Sequence, residues 1–280
     1  MKKKGTIVLG CILFSLFTSA QTQKGEIDIT KVPEAKEHYQ DEYTFVSPTD
    51  PARWLSQKPG LQVSFASTDQ IYFRTEVPDL KETTEWQVAG WKGERVNAMI
   101  LIWSPDTLNQ VRFLVKDLAN EKGQPLSKKN IQLNMVRYVV SNYPYDASDV
   151  TCGNSPYKNI YLMPDRFEAF ERFDLPGRTV RPVWLSLDIP PTATAGIYHG
   201  TVEVQCEKYK TTLHVNIRVQ KQVLPAPHEW KHRLDLWQNP WVIAWYNHVK
   251  PWSPEHIVLL KKQLSLYAGA GGKYITTYVV

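Results

Sequence analysis

The sequence predicts a mainly β protein: an antiparallel β-sandwich followed by an incomplete (β/α)8 barrel, of which only the first strand–helix–strand unit is expected. Two patterns carry this. Between residues 61 and 219 apolar side chains recur at period two, the spacing that places them on one face of a strand. Turn-forming residues separate these runs into roughly ten short strands, the pattern of a sandwich. After residue 233 the pattern changes to a short alternating run, a capped amphipathic helix and a second β-rich run. A strand–helix–strand order implies a parallel crossover, and parallel sheets need helices over their faces.

Taken in order, residues 1–20 read as a secretory signal peptide. Lys2, Lys3 and Lys4 form a basic start, Ile7 to Phe17 an apolar core, and Thr18-Ser19-Ala20 a small-residue cleavage site. Cys11 follows Val8-Leu9-Gly10 in the manner of a lipoprotein site, but it lies early and the apolar run continues past it. An exported protein is expected, periplasmic or at the cell surface. The apolar core is too short for a transmembrane helix, and no later stretch is long enough.

The chain carries 33 Lys and Arg against 28 Asp and Glu. Removing residues 1–20, with three lysines and no acids, leaves 33 − 3 = 30 basic residues and a net charge of +2. No basic stripe stands out, so nucleic acid is not a predicted partner. Export permits a disulfide between Cys152 and Cys206, and two separate thiols fit equally well. Neither cysteine has metal-ligand spacing and the seven histidines form no ligand motif, so neither metal nor cofactor is implied.

Residues 21–60 form a polar, proline-punctuated N-terminal lead-in, which Trp54 and Leu55 would anchor to the next domain. The β-sandwich domain is expected over residues 61–224. Its strands are read from Val63/Phe65, Ile71/Phe73, Met99–Trp103, Val111/Phe113/Val115, Ile131/Leu133/Met135, Val183/Leu185/Leu187, Val202/Val204 and Leu213/Val215/Ile217/Val219. Tyr143 to Thr179 breaks the period with four prolines, and reads as a long loop. There Phe167, Phe170 and Phe173 lie three apart and would pack a short turn between domains. Pro225 and Pro227 stiffen a connector over residues 225–232.

Residues 233–280 open the expected barrel. Leu234 and Leu236 would face helices, whereas Asp235, Trp237 and Asn239 would face the interior or its upper mouth. Pro240 ends the strand, because it has no N–H for a ladder. Ser253, Pro254 and Glu255 mark a helix start; Ile257, Leu260, Leu264 and Tyr267 recur along one face; Gly269, Gly271 and Gly272 allow the helix to end. Tyr274 to Val280 reads as the next strand. One helix cannot cover a parallel sheet, so the chain is expected to stop inside a domain. A small two-stranded appendage on the sandwich is the competing reading.

The order of signal peptide, sandwich with Leu-Asp-Ile-Pro-Pro-Thr-Ala-Thr-Ala-Gly-Ile-Tyr-His-Gly-Thr-Val (residues 187–202), Leu-Pro-Ala-Pro connector and Leu-Asp-Leu-Trp-Gln-Asn-Pro-Trp (residues 234–241) resembles the N-terminal part of glycoside hydrolase family 123. The resemblance implies a β-sandwich before a (β/α)8 barrel and activity as a β-N-acetylgalactosaminidase. In such enzymes the substrate's acetamido oxygen attacks the anomeric carbon, an Asp orients the acetamido group and an adjacent Glu is the general acid, outside the usual two-carboxylate scheme. The only adjacent Asp-Glu pair here is Asp41-Glu42, in the lead-in, and it does not take these roles. No catalytic residue is therefore assigned, and the 280-residue chain is expected to be inactive alone. Active sites of barrels gather at the C-terminal strand ends. Trp237, Asn239 and Trp241 are the candidate substrate-binding residues, with Tyr278 near the second strand's end, since aromatic faces stack on sugars and amides meet hydroxyls. The expected partner is an N-acetylgalactosamine-containing glycan. The alternative is a non-catalytic carbohydrate-binding or structural β-sandwich protein.

Overall fold

The structure, a computed structural model, describes residues 51–141 and 161–277. The signal peptide, Cys11, Asp41-Glu42, Cys152 and Tyr278 lie outside the described residues.

Two sheets pack face to face. The five-stranded sheet has the order β1 (Gln62–Ala66), β3 (Arg95–Ser104), β10 (Thr179–Asp188), β7 (Ile131–Ser141), β8 (Tyr161–Glu168). All its pairings are antiparallel. The other sheet has the order β2 (Glu85–Lys92), β12 (Lys210–Val223), β11 (Gly196–Gln205), β4 (Leu108–Val115), β9 (Phe173–Leu175), with β5 (Leu118–Asn120) and β6 (Pro125–Leu126) joined to β11. The layer between them holds Phe65, Ile100, Ile102, Val183, Leu185 and Leu187 from one side and Val111, Tyr198, Val202, Val204, Val215 and Ile217 from the other. Each such burial contributes about 1.5–3 kcal/mol, before the cost of ordering the chain.

The Met99–Trp103 run is continuously apolar because β3 is buried on both faces. Ile100 and Ile102 enter the shared layer. Met99, Leu101 and Trp103 face away from it and meet Trp54, Tyr72, Val77 and Val180 in a second cluster. Trp54 comes from helix α1 (Pro51–Leu55), and its indole N–H donates to the Thr75 carbonyl at 2.8 Å. Leu55 stays exposed.

Three expectations are corrected. The sandwich is not wholly antiparallel: β2 runs parallel to β12, with Trp86 opposite Val215 and Val88 opposite Ile217. The tight turn at Gly93 (φ +83°) carries the chain from β2 into β3 of the other sheet, so β2 leaves β3 to pair with β12. Ile71 and Phe73 do not form a strand; Tyr72 between them enters the second cluster, and its carbonyl accepts the Tyr138 hydroxyl at 2.9 Å. The 143–179 break contains strands β8 and β9. Phe170 and Phe173 pack edge-to-face on each other and against the sandwich core, with Phe113 beside Phe170, whereas Phe167 lies on Trp184 and is 51% exposed. Their three-residue spacing is therefore not a helical turn.

On β7 and β8, Glu168 accepts hydrogen bonds from Arg137 (2.8 Å) and Arg166 (2.6 Å). Arg137 foremost, then Arg166, holds this carboxyl below the usual carboxylate range, while partial burial opposes the shift. A depressed folded-state pKa stabilises the fold above the unfolded value, near 4.5, and this contribution is lost as pH falls through the folded value. Glu168→Gln is therefore expected to cost about 1–2 kcal/mol at pH 7. The deficit should shrink as pH is lowered through the depressed folded-state value, as urea denaturation at pH 7 and in strong acid would show. An equal deficit at both would refute a charge-based role.

Candidate functional site

Beyond the connector, Trp237–Gln238 (β13) and Thr276–Thr277 (β14) form a parallel pair, with Trp237 opposite Thr276 and Gln238 opposite Thr277. An isolated parallel bridge joins Leu234 to Gly272. Between them run helices α2 (Pro240–Tyr246) and α3 (Pro254–Gly269). The Ser253 hydroxyl caps α3, accepting from the His256 N–H at 3.3 Å, with Pro254 in the first turn. Helix α2 was not foreseen. Pro240 ends the strand by opening a helix, and the Asn239 carboxamide caps it, accepting from the Val242 N–H at 3.3 Å.

Polar side chains aimed at the backbone hold the unit together. The Tyr267 hydroxyl donates to the Leu234 carbonyl (2.7 Å) and accepts from the Leu236 N–H (3.2 Å), fixing α3 to the approach of β13. Its ring lies so close to Gly272 that a Cβ there would overlap it. His256 is fully buried. Its Nδ1 accepts from the Trp252 N–H (2.8 Å), so its Nε2 carries the proton and donates to the Pro240 carbonyl (2.9 Å). Both nitrogens are thereby used in tying α2 to α3, which makes His256 a positioning residue. Asp235 accepts from the Thr276 hydroxyl at 3.1 Å, linking the two strand segments.

The structure places the three sequence-predicted residues differently. Trp237 is 70% exposed on β13. Asn239 uses its carboxamide oxygen as the α2 cap. Trp241 is half-buried and meets Trp252 edge-to-face at 5.5 Å between ring centres. The buried Trp241 indole N–H has no hydrogen-bond partner. Trp252 was missed by the sequence reading: it is exposed, has a left-handed φ of +64°, and stacks at a tilt on His256. Its position between Pro251 and Ser253-Pro254 was the available signal, a turn that projects its own side chain. A separate shallow pocket of about 150 Å³ is lined by Gln238, Pro240, Ile243, Trp252, Leu264 and Thr277 among others. Gln238 lines it together with Leu260 and Leu264 of α3.

Among the described residues no cluster of His, Cys, Asp and Glu could hold a metal ion, Cys206 is a free thiol, and no helix is long and apolar enough to cross a membrane.

Comparison with known proteins supplies the family. A family model described as the glycoside hydrolase 123 N-terminal domain matches residues 65–206, just over half of the chain. The chain belongs to glycoside hydrolase family 123. A second model, the catalytic domain of the same family, matches residues 237–280. Among solved structures, a family 123 glycoside hydrolase from Clostridium perfringens, studied for glycolipid glycan hydrolysis, aligns with a TM-score of 0.66 and 24% identity. The alignment covers 77% of this chain and 37% of that one. The family 123 chain therefore spans well under half of the length of that hydrolase. The CooA pilin subunit of enterotoxigenic Escherichia coli (11% identity, 56% of this chain and 98% of that one) and a FixG-related protein from Vibrio parahaemolyticus (7%, 59% and 99%) each reach a TM-score of only 0.26. No curated protein matches.

The tie between α3 and β13 can be tested by separating its two parts. Tyr267→Phe keeps the ring and removes the hydroxyl; it should lower local stability by about 1–2 kcal/mol, read as faster hydrogen exchange at the Leu236 amide. Gly272→Ala forces the ring away and should release the whole 227–277 unit. A Gly272→Ala protein with unchanged exchange at Leu236 would show that the ring does not fix this strand.

Proposed function

We propose that the chain is the N-terminal portion of an exported glycoside hydrolase that cleaves β-linked N-acetylgalactosaminides with assistance from the substrate's acetamido group. The observation that supports it is the order of two matches to one family, N-terminal domain then catalytic domain, the second falling on the parallel strand–helix–strand unit. In this reading residues 61–224 are the sandwich domain, 225–232 the connector and 233–280 the opening of a (β/α)8 barrel. The Clostridium enzyme's link to glycolipid glycans accords with a glycan substrate.

Barrel enzymes work at the C-terminal ends of their strands. Trp237 lies on β13, and Asn239 and Trp241 follow its C-terminal end; in this reading the three contribute to a sugar subsite together with Trp252. Trp237 is 70% exposed, and aromatic side chains hold saccharides through contact with a sugar's C–H face. Trp241 is held edge-to-face by Trp252 at 5.5 Å between ring centres. Asn239 positions both by starting α2 between them. The catalytic Asp-Glu pair is contributed by other barrel strands, and residues 1–280 alone are inactive. Residues 1–20 direct export to the periplasm or cell surface.

The test uses the protein isolated from the cells that make it. Its mass should exceed 32.3 kDa, and it should release nitrophenol from 4-nitrophenyl N-acetyl-β-D-galactosaminide. Trp237→Ala should raise KM about tenfold or more, the loss of one stacking surface. A product that ends at Val280, or a longer one that leaves this substrate uncut, would overturn the proposal.

A further inference from the structure

The outward face of the sandwich carries a second feature that hydrolysis does not use. Strands β11, β12 and β2 lie side by side, and their outward residues form rows: Ile197 opposite Arg218 opposite Ala89, and His199 opposite Asn216 opposite Gln87. These residues line a groove of about 450 Å³, within the range of small-ligand sites.

The groove is pre-arranged by a hydrogen-bond relay. The Asn216 carboxamide donates to the Glu85 carboxylate at 3.0 Å, which fixes its nitrogen on that side. Its oxygen therefore faces His199 and accepts from the His199 Nδ1–H at 2.6 Å. In the neutral ring this leaves His199 Nε2 as an acceptor on the same outward face. The relay sets one tautomer in one orientation, and that is how an imidazole is prepared to receive a hydroxyl proton.

Two carboxylates on this face are engaged by neighbours. At its far end Glu203 pairs with Lys210 at 2.5 Å. In the middle Glu85 is engaged by Asn216. Arg218 stands between Ile197 and Ala89, neither of which can pair with a guanidinium, although opposite charges are the favoured neighbours across strands. No carboxylate lines the groove. A planar fork of donors, an oriented acceptor, the Gln87 amide and an apolar floor from Ile197 and Ala89 are thus gathered in one recess. An acidic sugar has the matching parts: a carboxylate for the fork, hydroxyls for the imidazole and amide, and a C–H face for the floor.

We propose that this groove is a saccharide-binding site, distinct from the barrel end, that takes a sugar unit bearing a carboxylate. It does not depend on the proposed hydrolytic activity, because none of its residues lies in the 233–280 segment.

The test titrates the whole chain with D-glucuronate, D-glucose and acetate, following the amides of Ile197, His199 and Arg218 by NMR. Glucuronate should shift these signals and bind about tenfold more tightly than glucose, the discrimination expected of a paired carboxylate. Arg218→Gln should abolish that preference, and Arg218→Lys should keep part of it, as a charge without the fork. His199→Phe should weaken glucuronate and glucose together. All three changes lie on the solvent side of strands, so unchanged thermal melting is expected and serves as the control. The proposal is overturned if glucuronate leaves these amides unmoved, if acetate moves them equally (an anion patch only), or if glucose binds as tightly and ignores Arg218→Gln.

Discussion

Burial of β3 and β10 on both faces is the constraint on which the sandwich depends. Leu101 and Ile102, neighbours in sequence, point in opposite directions and are both fully buried. A strand of this kind cannot stand at an edge, so β1 pairs along one side of β3 and β10 along the other. The second sheet covers one face. The other face needs Trp54, Tyr72 and Val77, which explains why the segment from α1 to residue 80 wraps the sheet without strand structure beyond β1. The segment is tied to itself at Trp54 to Thr75, and to the sheet by the Tyr138 hydroxyl on the Tyr72 carbonyl and the Val180 N–H on the Arg74 carbonyl.

The same constraint explains what the sequence made legible. Strands with one buried face, such as β11 and β12, announce themselves through alternation, and Val202, Val204, Leu213, Val215 and Ile217 all sit in the shared layer as expected. The short β9 and the bulged β8 do not, because a register shift between Arg137 and Tyr138 and the proline at 164 break the period. The parallel β2–β12 pair was illegible for another reason. Nothing local to Glu85–Lys92 records which strand it will meet; that choice is made by the turn at Gly93, which sends the next strand into the other sheet.

At the candidate site, the Ser253 cap and the α3 helix could be read directly, because capping is local chemistry. The Asn239 cap could have been read in the same way, since Asn-Pro before an apolar run is also a helix start. Pro240 was taken only as the end of a strand. Trp252 and His256 belong to a different class. Their roles arise from a contact between α2 and α3 that no spacing encodes, and His256, buried with both nitrogens engaged, could not be distinguished by sequence from a solvated one.

The two parts of the molecule are held by different forces, and this bears on function. The sandwich rests on a broad apolar layer, in which individual contacts of about 1.5–3 kcal/mol are numerous. Between residues 240 and 277 the buried hydrophobic side chains are Ala244 and Tyr267, with Pro240 beside them. Hydrogen bonds, each worth about 1 kcal/mol net, therefore carry a much larger share of the order there. They are directional where apolar burial is not. The Asn239 cap, the His256 bridge and the Tyr267 hydroxyl each specify an angle as well as a distance, so the rings of Trp241 and Trp252 are set by geometry that a polar network defines. In the proposed sugar subsite such directional ties would orient the rings without adding apolar surface that competes with the ligand for them.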